Sequence, residues 1–329
     1  MSIARPEVAK GGAPSALPPG RPRRRDLAAG WRGWRQRRES LIGYLLIAPA
    51  FLTLLAVIGY PLVRAFSMSM HRIVLTRPRD GQPFVGFENY LTVLQADYFS
   101  NAVWNTVVWT GVNLVVQLVL GLGIALLLNL EFPGRALARG IMLIPWVTPS
   151  VVAVLTWRWM YDAQFGIINR LLEAARIIDR GVAWLGNTHT AMGAVIMESV
   201  WKGTPFVFVM LLAALQAVPT ELFDAAKVDG ANALGRLRYV TLPTIMPTMA
   251  IAATLTTIYT FNNFNTIWLM TEGGPLRATE TMTILVYKQA FQAFNMGQAT
   301  AIGVITFLVL MVFVLLFGRG YLRSQMGRS

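Results

Sequence analysis

The chain has 329 residues, 55% of them hydrophobic and 14% charged, with a mean hydropathy of +0.51, which is too apolar for a soluble globular domain. Its net charge is +13, but the arginines crowd into the first forty positions and into short connectors instead of along one helical face, so the charge reads as membrane topology and not as a nucleic-acid surface. The absence of Cys excludes disulfides and thiol chemistry, and with only His71 and His189 present, neither beside a carboxylate cluster, a catalytic metal site is not expected.

Residues 1–40 are rich in Pro, Gly, Ala and Arg and are expected to form a basic, disordered tail in the cytoplasm. The apolar stretch that follows, 41–63, is longer than a signal-peptide core and lacks a small-residue cleavage site, which predicts a retained helix. It opens a transmembrane domain expected to run over 41–329. A spanning helix needs roughly 20 apolar residues, and six segments meet that length: 41–63, 104–130, 141–160, 190–217, 246–270 and 299–317. Only Arg158, Glu198 and Lys202 are charged within them. With the tail inside, the inner segments carry 18 Lys and Arg and the outer loops 9, so both termini are expected in the cytoplasm. Prolines at 49, 61, 145, 149, 205 and 247 fall within or beside the spans, where neighbouring helices must satisfy the freed carbonyls. Strand-period segments and short repeats are missing, and the predicted fold class is all-α integral membrane, a packed bundle of six transmembrane helices.

The inner connector between the fourth and fifth spans, 218–245, is too long for a turn. Leu222, Ala225, Ala226, Val228 and Ala231 supply an apolar side, and Glu221, Asp224 and Lys227 a polar one. Gly230 provides a break, so two short helices with an exposed hinge are expected.

On the fifth span Thr256, Tyr259, Thr260 and Asn263 are spaced 0, 3, 4 and 7, which places four hydrogen-bonding side chains on one face at mid-membrane depth. Such groups face a bundle interior or an aqueous cavity. Hydroxyls and an amide beside an aromatic ring suit a polyhydroxylated ligand, because each sugar hydroxyl donates and accepts while the ring covers its apolar face. The competing reading is that Asn262, Asn263 and Asn265 hydrogen-bond across helices as packing groups. On the fourth span Glu198 precedes Lys202 by four residues, the favourable order for an ion pair within the helix; an anion site at Lys202 is the alternative.

The connector pattern, Asp224-Ala225-Ala226, three residues, Gly230, nine residues, then Val240 to Pro243, resembles the signature loop of binding-protein-dependent ABC permeases, with Asp224 where that family more often has Glu. The resemblance implies a type I importer bundle and a coupling helix that docks on a cytoplasmic ATPase, with Glu221, Asp224, Ala225, Ala226, Asp229, Gly230, Leu242 and Pro243 as the coupling segment. The block from Phe261 to Pro275, together with the stretch from Trp157 to Leu172, is similar to carbohydrate permeases of the maltose and glycerol-phosphate group. That similarity implies a sugar site lined by Thr256, Tyr259, Thr260 and Asn263, and by Gly203 and Phe206 in the GTPF segment of the fourth span. It further implies a second homologous permease, an ABC ATPase dimer, an extracytoplasmic solute-binding protein and a place in the bacterial cytoplasmic membrane, surrounded by lipid. Since no segment fits a phosphate-binding loop ending in Lys and Ser or Thr, the chain is expected to bind no cofactor, with ATP and Mg²⁺ held by the partner ATPase, and to be a transporter subunit and not an enzyme. The rival function is an ion-coupled secondary transporter, for which Glu198 is the candidate intramembrane carboxylate.

Overall fold

The computed structural model describes residues 43–326, with side chains to position 315; the expected tail at 1–40 lies outside the described residues. The chain divides into two compact units, Met1–Leu62 and Val63–Ser329. The described part of the first is the bulk of α1 (Gly43–Ser69), a 27-residue apolar helix with a π-turn over Leu55–Gly59. Leu45, Phe51, Leu55 and Ile58 are all exposed on it, and a helix apolar on every side is built for lipid or for another chain.

After the last turns of α1, the second unit contains α2 (Glu88–Leu94), α3 (Asp97–Asn129), α4 (Arg135–Val147), α5 (Ser150–Met160), α6 (Ile167–Ala174) and α7 (Ala191–Gln216). It continues with α8 (Thr220–Val228), α9 (Ala233–Phe261), α10 (Asn265–Thr271), α11 (Met282–Phe291) and α12 (Met296–Met326). Among the described residues the only β pairing is two isolated bridges, His71 with Phe84 and Val74 with Asn295. Among the described residues, five helices are long and apolar enough to cross a membrane, and a sixth crossing exists if α4 and α5 count as one broken span.

The packing axis is α3 against α7. On α3 the buried positions Asn105, Trp109, Asn113, Gln117, Gly121 and Ala125 recur every fourth residue, a stripe turned toward α7 and α9. Gly121 lets the two backbones approach: a Cβ there would sit 2.6 Å from Val207 Cγ1 and 3.1 Å from the Phe208 nitrogen. Toward one end Trp109, Val154, Val195, Val200, Ile267 and Ile284 form a core, and toward the other Ala125, Val207, Phe208, Leu211, Leu215 and Ile245 form a second.

Three expected boundaries are corrected by the structure. The segment 141–160 is two helices bent by 94°. Pro149 has no N–H to continue α4 and drives Thr148 into an extended conformation with ψ of 128°, so the helix ends and a new one starts at Ser150. The segment 246–270 ends as a helix at Phe261, and α10 is separate, started by the Asn263 side chain accepting from the Thr266 N–H at 3.1 Å. Finally, the second of the two short connector helices is the first part of α9, which runs from Ala233 through a π-turn over Leu237–Thr241 into the span.

Candidate ligand cavity and coupling segment

Between α3, α4, α7, α9 and α10 lies a cavity of about 240 Å³. Its walls include all the positions expected to touch ligand: Gly203 and Phe206 from α7, Thr256, Tyr259 and Thr260 from α9, and Asn263 just beyond. The 0, 3, 4, 7 spacing on α9 therefore does face one space, with Thr256 and Thr260 buried and Tyr259 68% exposed. The Thr256 hydroxyl is buried without a hydrogen-bond partner. A hydroxyl left unpaired at this depth is costly unless something else bonds it, so its position marks where a ligand group would be stabilised.

Three aromatic rings join the elements around this space. Trp146 of α4 lies 6.3 Å from Phe206, centroid to centroid, and Phe206 meets Tyr259 edge-on at 6.1 Å. The cavity also takes in Gln117, Trp146, Ser199 and Thr266, which the sequence reading did not include. Gln117 is buried, and its amide donates to Asn113 Oδ1 at 3.1 Å and to the Ser199 carbonyl at 3.4 Å. A signal existed for it: Asn113 and Gln117 are amides four residues apart in an otherwise apolar span, a pattern that points inward. Trp146 gave no such signal, because its place depends on the break at Pro149. Gly203 lies against the Gln117 side chain so closely that a Cβ would collide with it.

The ion pair expected between Glu198 and Lys202 is not formed. Lys202 Nζ instead donates to the Thr148 carbonyl at 2.5 Å, and none of the ion pairs among the described residues includes Glu198. Glu198 is fully buried, and the groups facing it are the Thr266 hydroxyl, Lys202 and Tyr161. The broken span supplies the alternative acceptor: where α4 ends, the Thr148 carbonyl lies within reach of the ammonium, at the negative pole of that helix. Asn262 does not bond across helices either; its amide donates to the Ile258 carbonyl one turn back at 2.9 Å.

On the connector, Asp224 and Lys227 pair at 2.9 Å on α8, and the helix stops at Gly230, whose φ is +79°. The Ala231 N–H returns to the Ala226 carbonyl at 2.9 Å and the Gly230 N–H to that of Lys227 at 3.0 Å, a glycine-closed helix end. Asn232 then caps α9 by accepting from the Gly235 N–H at 2.8 Å. Glu221, Asp224, Ala225 and Asp229 are exposed with Gly230, Ala226 is half-buried, and Leu242 and Pro243 are half-buried at the start of the regular α-helical stretch of α9. Val228 is 88% exposed and Leu222 and Leu234 are exposed beside it, an apolar patch on an otherwise polar turn.

Two long helices crossing on a polar cavity, a broken span, and a capped helix pair presented on a connector define a solute-conducting membrane subunit. Residues 117–326 match the family model described as binding-protein-dependent transport system inner membrane component. The chain is 37% identical over 283 residues to the trehalose/maltose transport system permease protein MalF of Thermococcus litoralis, covering 85% of this chain and 93% of that one. It is 33% identical over 277 residues to the sulfoquinovosyl glycerol transport system permease protein SmoG of Agrobacterium fabrum, covering 84% and 89%. Among solved structures, a chain of a bacterial ABC transporter involved in the import of the acidic polysaccharide alginate superposes with a TM-score of 0.75 over 89% of this chain and 99% of that one, at 22% identity, a likeness of fold. The chain belongs to the family of binding-protein-dependent transport system inner membrane components: it is an integral inner-membrane permease subunit of an ABC importer, a transporter and not an enzyme.

Proposed function

We propose that this chain carries a carbohydrate across the bacterial cytoplasmic membrane, with Thr256, Tyr259, Thr260, Asn263, Gly203 and Phe206 contacting the ligand. The observation that carries the reading is the convergence of these positions, from two helices, on one cavity that holds the unpaired Thr256 hydroxyl beside an aromatic chain. At about 240 Å³ the cavity is at the small end of ligand sites, which typically measure about 300–1,000 Å³. A pathway shared with a second, homologous permease accounts for the difference. The names of relatives that transport trehalose, maltose and sulfoquinovosyl glycerol support the class.

In this reading the chain crosses the membrane six times, counting the broken α4–α5 pair once, with both termini and the 1–40 tail in the cytoplasm and residues 41–329 forming the permease domain. The connector at 218–245 is the coupling segment. Its apolar patch around Val228, with Glu221, Asp224, Ala225, Ala226, Asp229 and Gly230, docks on an ABC ATPase dimer, while Leu242 and Pro243 pass its movement into α9. ATP and Mg²⁺ are held by that dimer. An extracytoplasmic binding protein delivers the ligand, and closure of the ATPases tilts α7 and α9 to expose the cavity outward. The test is ATP-driven uptake of radiolabelled di- and oligosaccharides, neutral and acidic, into proteoliposomes holding the complex purified through this chain. Tyr259→Ala should lower uptake by about tenfold or more with the complex still assembled. Uptake of no carbohydrate by the unaltered complex, with another solute class carried instead, would remove the proposal.

A further inference from the structure

Among the described residues, Lys202 is the only charged side chain on the cavity wall. Its ammonium is committed to the Thr148 carbonyl, on the last residue before Pro149, where α4 ends and the chain turns by 94° into α5. We infer that Lys202 is a positioning residue of the cavity: it clasps the broken span to α7 and thereby holds Trp146 in the wall, rather than pairing with Glu198 or presenting charge to the ligand. The inference rests on the reading of this cavity as the ligand site.

The need for a clasp follows from the chain. α4 has no buried residue, so apolar packing alone holds it weakly. Other bonds from the α4–α5 pair to the bundle lie toward its ends, Arg139 to the Leu128 carbonyl at 2.6 Å and Arg158 to the Leu269 carbonyl at 3.1 Å. The break is held from α7 by Lys202. A helix ending inside the membrane leaves carbonyls that must be satisfied, and their pole is negative. A lysine suits that place, because its flexible apolar stem crosses hydrophobic surface while the head offers three donors. Trp146 precedes Thr148 by two residues and begins the aromatic chain through Phe206 to Tyr259. Releasing Thr148 frees the first ring of that chain.

The chain has no Cys, so one introduced cysteine is the single thiol of this subunit, and its labelling is read on this subunit after separation from its partners. Thr256→Cys places it at a wall position that is 3% exposed. In the complex purified through this chain, labelling by neutral methyl methanethiosulfonate should be at least about fivefold faster when Lys202→Met is added, and near the parent rate with Lys202→Arg, whose guanidinium can also reach the carbonyl. Trp146→Ala should reproduce the acceleration. An unchanged rate in Lys202→Met overturns the clasp, and so does recovery of the parent rate in Lys202→Met combined with Glu198→Gln, because that recovery is the signature of a fixed ion pair. In the same complex without the reporter, uptake of radiolabelled maltose and of a uronate disaccharide should both fall with Lys202→Met; loss of the uronate alone would make Lys202 an anion site and overturn the inference. If the unaltered complex moves no carbohydrate and carries another solute class, the carbohydrate reading fails while the labelling still decides the role of Lys202.

Discussion

The indole of Trp109 donates a 2.8 Å hydrogen bond to the carbonyl of Thr260, joining the buried stripe of α3 to the last turn of α9 where that helix ends and the cavity begins. The same carbonyl accepts from the Asn263 N–H at 3.0 Å. One acceptor thus holds both the helix end and the neighbouring helix. Trp109→Phe keeps most of the buried ring and removes the cross-helix bond. It is expected to destabilise the detergent-solubilised complex by about 1 kcal/mol, the usual size of such bonds between membrane helices. Thermal unfolding followed by loss of the native oligomer measures it, and a shift no larger than that of an exposed Trp159→Phe control would contradict it.

Thr256 separates function from stability. Its hydroxyl is buried with no partner, so the near-isosteric Thr256→Val removes a polar group that the folded protein desolvates without return. Thermal stability should stay level or rise, whereas sugar uptake should fall several-fold, about one hydrogen bond's worth. If stability and uptake fell together, the hydroxyl would have a partner within the protein.

Gly230 has φ of +79° and open space where a Cβ would project. Conformation and not crowding therefore selects glycine. Gly230→Asn, which tolerates the left-handed region, should keep most uptake, and Gly230→Val should lose it, since a β-branched residue there costs about 1–2 kcal/mol or more. Recovery of the ATPase with each variant by affinity purification shows whether the loss lies in docking. Equal behaviour of Asn and Val would move the explanation to direct contact with the partner.

Glycines along α3 divide by what surrounds them. A Cβ at Gly121 meets Val207 and the α7 backbone, whereas one at Gly111 or Gly123 meets nothing within 4 Å. Gly121→Leu should push α3 from α7 and abolish assembly of a stable complex. Gly123→Ala should be neutral or stabilising, by up to about 1 kcal/mol from helix propensity. Size-exclusion profiles of the solubilised complexes distinguish these outcomes. A well-assembled Gly121→Leu protein would mean that α3 and α7 do not pack as described.

Much of the architecture was legible in the chain because the bilayer makes its requirement local: roughly 20 apolar residues must follow one another, whatever they pack against. That is why the helix expected at 190–217 lies nearly where α7 does, and why the polar face of α9 followed from spacing alone. The helix break in the connector was legible for a similar reason, since Gly230 ends α8 through its own backbone freedom. Even the ends of these elements were less secure where tertiary packing continued a helix, as in the run of α9 from Ala233.

The partners of Lys202 and the membership of Gln117 and Trp146 in the cavity were decided only in three dimensions. On the helix, Glu198 is the natural partner of Lys202; in the bundle, a proline in a different segment exposes the Thr148 carbonyl beside it, and that acceptor takes the ammonium. Sequence by itself determined which stretches are apolar enough to span a membrane, that they are helical and which face of α9 is polar, because hydropathy and helical period act between near neighbours. Tertiary structure decided where a span breaks, which ring closes the cavity and which acceptor holds the Lys202 ammonium, because each depends on groups separated by tens of residues and brought together only by packing.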